Sequence, residues 1–300
     1  MNRLAAGILG LACYGGSYVA VAQAPPIVVD DVGREVHLQQ PAQRIITLAP
    51  HATENAFAAG AGDAVVGRSA FSDFPAAAQA LPILSGYRGI DIERVLRLRP
   101  DLVVVWQTGG STRQIDHLIK LGIPLYISEP RSLSAIADNL RDMGLLAGVS
   151  ERAEAAAEGF LDEVARLRAQ YRRVRRLSVF YQIWAAPVST INGAHLATEL
   201  LNLCGATNVF ANLPVLAGPV SMEAILKLDP DAIVLSADES SAADWMQRWQ
   251  RWPSLRAVRA GALVVIDADL SSRHTTRVVE GINALCIALD RARAQYELGQ

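Results

Sequence analysis

Ile92–Trp106 reads IERVLRLRPDLVVVW, and Met222–Ser236 reads MEAILKLDPDAIVLS. Each copy follows a helix-capping residue, Asp91 or Ser221, carries a glutamate in its first turn, Glu93 or Glu223, and spaces its apolar residues as a helix does. A Pro-Asp pair, Pro100-Asp101 or Pro230-Asp231, then ends the helix, because proline excludes helical geometry at the residue before it. The apolar run that follows shows no polar alternation, as a strand covered on both faces requires. Two copies of one helix-to-strand unit, with Glu, Pro and Asp in register, predict two related α/β lobes.

Working outward, an arm over residues 23–43 contains DDVGREV, a hairpin-prone stretch. The first lobe then spans 44–149. It opens with a buried strand at Arg44–Pro50 and alternates strands and helices up to a helix at Ser132–Leu146, so its sheet is expected to be mostly parallel. Residues 150–175 lack proline and are rich in Ala, Glu, Leu and Arg. Ser150 reads as the N-cap of a long, rigid linking helix with glutamates at its start and arginines at its end. The second lobe, 176–300, begins with the strand Leu177–Ile183 and closes with a helix from Arg277. Trp245, Trp249 and Trp252 recur at helical spacing and read as a packed stripe.

The chain has 300 residues, 51% of them apolar and 19% charged, enough for two ordinary domains with a sizeable core. A net charge of −2 gives no electrostatic case for nucleic acid or a membrane surface. Residues 1–22 read as a signal peptide: Arg3 supplies the positive start, Leu4–Val21 is small and apolar, and Ala20-Val21-Ala22 fits a cleavage site. An exported chain keeps Cys204 and Cys286, an even pair in an oxidising compartment, and a disulfide is expected over two buried thiols.

Catalytic signatures are missing. There is no GxSxG, no glycine-rich phosphate loop, no CxxC and no HxxxH, and the five histidines stand singly in the sequence. A metal-dependent periplasmic enzyme remains only as an alternative from another class.

Taken together, DVGREV, RIITLAP (Arg44–Pro50), TENAFAAG (Thr53–Gly60), SDFP (Ser72–Pro75), WQTGG (Trp106–Gly110) and the paired Pro-Asp units resemble the substrate-binding proteins of ABC importers for cobalamin, haem and ferric siderophores. The likeness runs from about Arg44 to Asp290 and is strongest to the cobalamin-binding branch. It implies a periplasmic protein, a monomer when free, that holds a corrinoid between its lobes as transported cargo rather than intrinsic cofactor. Its partner would be a permease dimer with ATPase subunits, and Cys204 and Cys286 would be bridged.

The positions that the resemblance marks as ligand contacts are Pro50, His51, Ala52, Phe71, Tyr87 and Trp106 in the first lobe, and Trp184, Leu216, Asp269, Leu270 and Arg273 in the second. Aromatic and aliphatic walls suit a flat macrocycle, and Asp269 and Arg273 suit its amide arms. His51, directly after a strand, is also a candidate imidazole for cobalt or iron, with helix capping or plain solvent exposure as the competing readings. Tyr87 is the candidate axial phenolate if the cargo is haem, although haem-binding relatives space it one residue further from the Pro-Asp strand. Glu93 and Glu223 are the positions that would dock, one per lobe, onto arginine pockets of the permease.

Overall fold

A computed structural model of the chain describes residues 24–298, so the expected signal peptide lies outside the described residues. The arm forms a two-stranded antiparallel ribbon, Ile27–Val29 against Glu35–His37. Asp30 closes its turn by accepting from the N–H groups of Val32 and Arg34, at 3.2 and 2.8 Å.

In the first lobe six strands stand in the order Gly89–Ile90, Ile83–Gly86, Val65–Ser69, Ile45–Thr47, Leu102–Trp106, Leu125–Ser128. Every pairing is parallel except that of the two-residue edge strand Gly89–Ile90. Leu102 and Val104 enter one apolar layer, Val103 and Val105 the other, which is why this strand shows no alternation. The second lobe repeats the arrangement with four parallel strands, Ala206–Asn208, Leu177–Gln182, Ala232–Ala237 and Leu263–Asp267. There Val234 faces one layer, and Ile233 and Leu235 the other. An antiparallel sheet of Trp184–Ala185, Val188–Ile191 and Ala217–Pro219 has no counterpart in the sequence reading, since strands of two to four residues leave no window for a period to show.

The two repeat units match in their hydrogen bonds. Asp91 accepts from the Arg94 N–H at 2.9 Å, and Ser221 from the Ala224 N–H at 3.1 Å, satisfying helix-start donors. Arg99 and Asp229, the residues before each proline, take left-handed φ values of 46° and 41°. Beyond the proline, Asp101 accepts from the N–H groups of Gln43 and Arg44, at 2.8 and 2.9 Å. Asp231 accepts from the N–H of Ser178 at 2.8 Å. Each carboxylate therefore pins the start of its lobe's first strand to the start of the repeat strand beside it.

The linking helix is Ser150–Tyr171, four residues shorter than expected, and Ser150 is its first helical residue rather than its cap. The preceding helix, Leu133–Ala147, ends in the left-handed Gly148, and only Val149 separates that residue from the next helix, so Val149 takes the cap position. The 22 residues span about 33 Å. Ala153, Ala157, Phe160, Val164, Leu167 and Tyr171 form a buried stripe at intervals of three and four. It approaches the preceding helix so closely that a Cβ on Gly144 would sit 2.1 Å from that of Ala153. The stripe belongs to one apolar cluster that also holds Ile45 of the first lobe and Leu177 and Leu289 of the second. Bending here would open a shared core.

Cys204 and Cys286 are bonded, joining the helix Leu196–Leu203 to the last helix, Val278–Leu298. Trp245 and Trp249 are buried, Trp249 donating to Gln182 Oε1 at 2.6 Å. Trp252 is exposed, so the expected stripe has two members.

Candidate functional site

The parallel strands of the first lobe end in Thr47, Ser69 and Trp106, at the mouth of a crevice. Its first chamber, about 480 Å³, is walled by Pro50, Phe71, Tyr87, Ile90 and Trp106, with Gln114 at its side. A second chamber, about 320 Å³, lies between lobes: Thr108, Glu129 and Arg131 line it from the first, His195, Leu216 and His274 from the second. Pro50 and Trp106 line both, so the chambers adjoin.

The loop that carries Phe71 is anchored from below by buried hydroxyls. Ser69 and Ser72 Oγ lie 2.7 Å apart, Thr53 Oγ1 is 2.8 Å from Ser72 Oγ, and Thr47 Oγ1 is 2.7 Å from Thr53 Oγ1. On this base Phe71 stands half exposed, edge-on to the ring of Tyr87 with centroids 5.0 Å apart. Tyr87 is 95% exposed at the chamber's rim. Trp106 leans edge-on against His51 at 5.4 Å.

His51 lines the second chamber but is buried, and its Nε2 lies 3.0 Å from Ser128 Oγ. That bond occupies one nitrogen of the imidazole considered as a metal ligand, and His51 is neither the helix cap, which is Ala49, nor exposed. Three histidines far apart in sequence meet here, His274 standing 6.4 Å from His51 and 6.3 Å from His195 between ring centroids. Burial, reinforced by His274, lowers His51 to about 3 and His195 to about 4; burial also lowers His274. All three are therefore neutral at pH 7. Among the described residues no group of three or more His, Cys, Asp or Glu side chains is arranged to hold a metal ion.

Of the other expected contacts, Leu216 lines the second chamber and is partly exposed. Ala52 is buried in the core and lines neither chamber, because the helix Pro50–Ala58 turns its side chain inward. Trp184 is exposed, its indole N–H donating to the Ala186 carbonyl at 3.1 Å, and it too lines neither. Asp269 and Leu270 also stand outside both. Arg273 lines the second chamber with its guanidinium already engaged: it lies 2.8 Å from Asp269, 2.6 Å from Asp73 and 3.0 Å from Glu54. Arg273, expected with Asp269 to serve a ligand's polar arms, thus forms a junction between lobes through Glu54 and Asp73. Burial raises the Glu54 carboxyl above its usual range, with Arg273 and Arg277 opposing.

Thr108, Glu129, Arg131, His195 and His274 were not marked by the sequence. They reach the second chamber from four loops, Glu129 and Arg131 sharing one, and no spacing rule connects those loops. Glu93 and Glu223 are both exposed in the first turns of their repeat helices.

Comparison with known proteins bears on this geometry. The profile of a family described as "Periplasmic binding protein" matches residues 45–270. The chain is 34% identical over 248 residues to a vitamin B12-binding protein of Vibrio parahaemolyticus, covering 82% of this chain and 89% of that one. Its fold is similar to the crystal structure of the periplasmic vitamin B12 binding protein BtuF of Vibrio cholerae, with a TM-score of 0.77, 35% identity, and coverage of 84% and 98%. A periplasmic heme-binding protein from Roseiflexus, at 23% identity and a TM-score of 0.74 over 84% of this chain and 99% of that one, shares the fold.

Proposed function

This chain belongs to the periplasmic binding protein family, and from that premise we propose that it captures cobalamin, or a closely related corrinoid, between its lobes and delivers it to an ABC importer. The observation that carries the assignment is the first chamber, a crevice at the C-terminal ends of parallel strands with Phe71, Tyr87 and Trp106 on its walls. Open α/β sheets place ligands at such strand ends, and exposed aromatic faces stabilise a large flat macrocycle by burial and stacking. Trp184, Asp269 and Leu270 join the contacts only when the lobes close. The core shared through the linking helix keeps that closure small. The cargo leaves as it arrives, without catalysis.

Glu93 and Glu223, one exposed carboxylate on each lobe, are the groups we assign to docking on a permease dimer that works with ATPase subunits. The protein works in the periplasm, sent there by the segment 1–22, and is a monomer when free.

Calorimetry with cyanocobalamin, cobinamide and hemin tests the cargo. Binding of cyanocobalamin is expected; binding of hemin alone would overturn the corrinoid assignment. One observation favours haem as the second reading, the exposed side chain of Tyr87 at the rim of the first chamber. A Soret band that shifts in Tyr87→Phe would support it.

A further inference from the structure

We propose that the second chamber is a subsite for the nucleotide arm of a complete corrinoid, with Arg131 and His195 donating hydrogen bonds to its phosphodiester; this rests on the corrinoid assignment above.

His195 caps the helix Leu196–Leu203, its Nδ1 accepting from the Ala197 N–H at 3.1 Å. A neutral imidazole whose Nδ1 lone pair is used in this way carries its proton on Nε2. His195 is neutral at pH 7, so the nitrogen left over is an N–H donor and not a lone pair for a metal. That N–H has no partner among the described residues, and the ring lines the chamber. Arg131 lines the same chamber from the facing lobe, exposed and without an ion pair among the described residues.

The other charged groups of the chamber are already engaged. The Glu129 carboxylate accepts from the Thr108 N–H at 3.0 Å and from its hydroxyl at 2.9 Å. Arg273 is held by Glu54, Asp73 and Asp269. The open capacity contributed by Arg131 and His195 is therefore for donating. An amide arm of a corrin ring brings a donor with every acceptor, whereas a phosphodiester brings acceptors only, with a negative charge that strengthens each bond. Within a corrinoid that group occurs in the nucleotide arm. Since Pro50 and Trp106 line both chambers, an arm hanging from a ring in the first chamber enters the second directly.

Cobinamide has the same ring as cobalamin and lacks the nucleotide arm, so calorimetry with cyanocobalamin and cobinamide isolates the subsite. The wild type should bind cyanocobalamin about tenfold or more tightly than cobinamide. Arg131→Ala should weaken cyanocobalamin by about tenfold or more and leave cobinamide within about twofold. His195→Asn, which keeps a helix-capping side chain but withdraws the imidazole N–H, should do the same. Equal losses for both ligands, or affinities unchanged in both variants, overturn the subsite and leave the corrinoid assignment standing. If the wild type binds neither ligand, the corrinoid assignment falls and the subsite with it.

Discussion

Arg273 of the second lobe lies against Glu54 of the first, Nη1 standing 3.0 Å from Oε1. Arg277 approaches the same carboxylate at 3.4 Å, while Asp73 shares Nη1 of Arg273 with Glu54 and Asp269 lies against Nη2. The two partners are unequally dependent on each other. Arg273→Ala leaves Glu54 buried with Arg277 as its one remaining arginine and should lower stability by about 3 kcal/mol. Glu54→Gln leaves Arg273 with two carboxylates and should cost about 1 kcal/mol. Urea denaturation of both variants measures the difference, and equal losses would show that the buried charge is not what the junction protects.

Acidification should destabilise the protein through its imidazoles. His51 titrates at about 3 when folded, against an ordinary 6.5, so between those values the unfolded chain binds the extra proton. Stability from this group is complete above pH 6.5 and is lost as pH falls toward 3, about 2 kcal/mol of it between pH 6.5 and 5. His195 and His274, also lowered, act with the same sign. Glu54, raised by burial, acts with the opposite sign as it protonates. Thermal melts at pH 7 and pH 5 should show a lower midpoint in acid, and His51→Gln should flatten the profile.

The bridge between Cys204 and Cys286 closes a separation of 82 residues. A loop of that size stabilises by about 4–5 kcal/mol through loss of chain entropy in the unfolded state. Paired Cys204→Ala and Cys286→Ala changes should lower the denaturation midpoint accordingly, and added reductant should then have no further effect.

Reversal of the exposed carboxylates should separate binding from delivery. Glu93→Lys with Glu223→Lys should abolish uptake of labelled cobalamin by cells while leaving its affinity for the purified protein unchanged. Neither side chain is buried, so stability should move by no more than about 0.5 kcal/mol. Uptake that survives the double change would remove these residues from the docking surface.

The sequence by itself determined the α/β class, the two lobes and the helix between them. Proline geometry, capping side chains and apolar periodicity are local instructions, legible over a dozen residues, and Ile92–Trp106 and Met222–Ser236 carry them twice. Resemblance then pointed to Phe71, Tyr87, Trp106 and Leu216, all of which line the crevice. It also pointed to Ala52, whose side chain the fold turns into the core. Only the tertiary structure brought His51, His195 and His274 into one row, engaged Arg273 between Glu54, Asp73 and Asp269, and stacked four hydroxyls beneath Phe71. Each of these depends on contacts between side chains from separate elements. A hydrogen bond or ion pair of 3 Å is set by where the strands and helices finally pack, and no periodicity within any one of them records it.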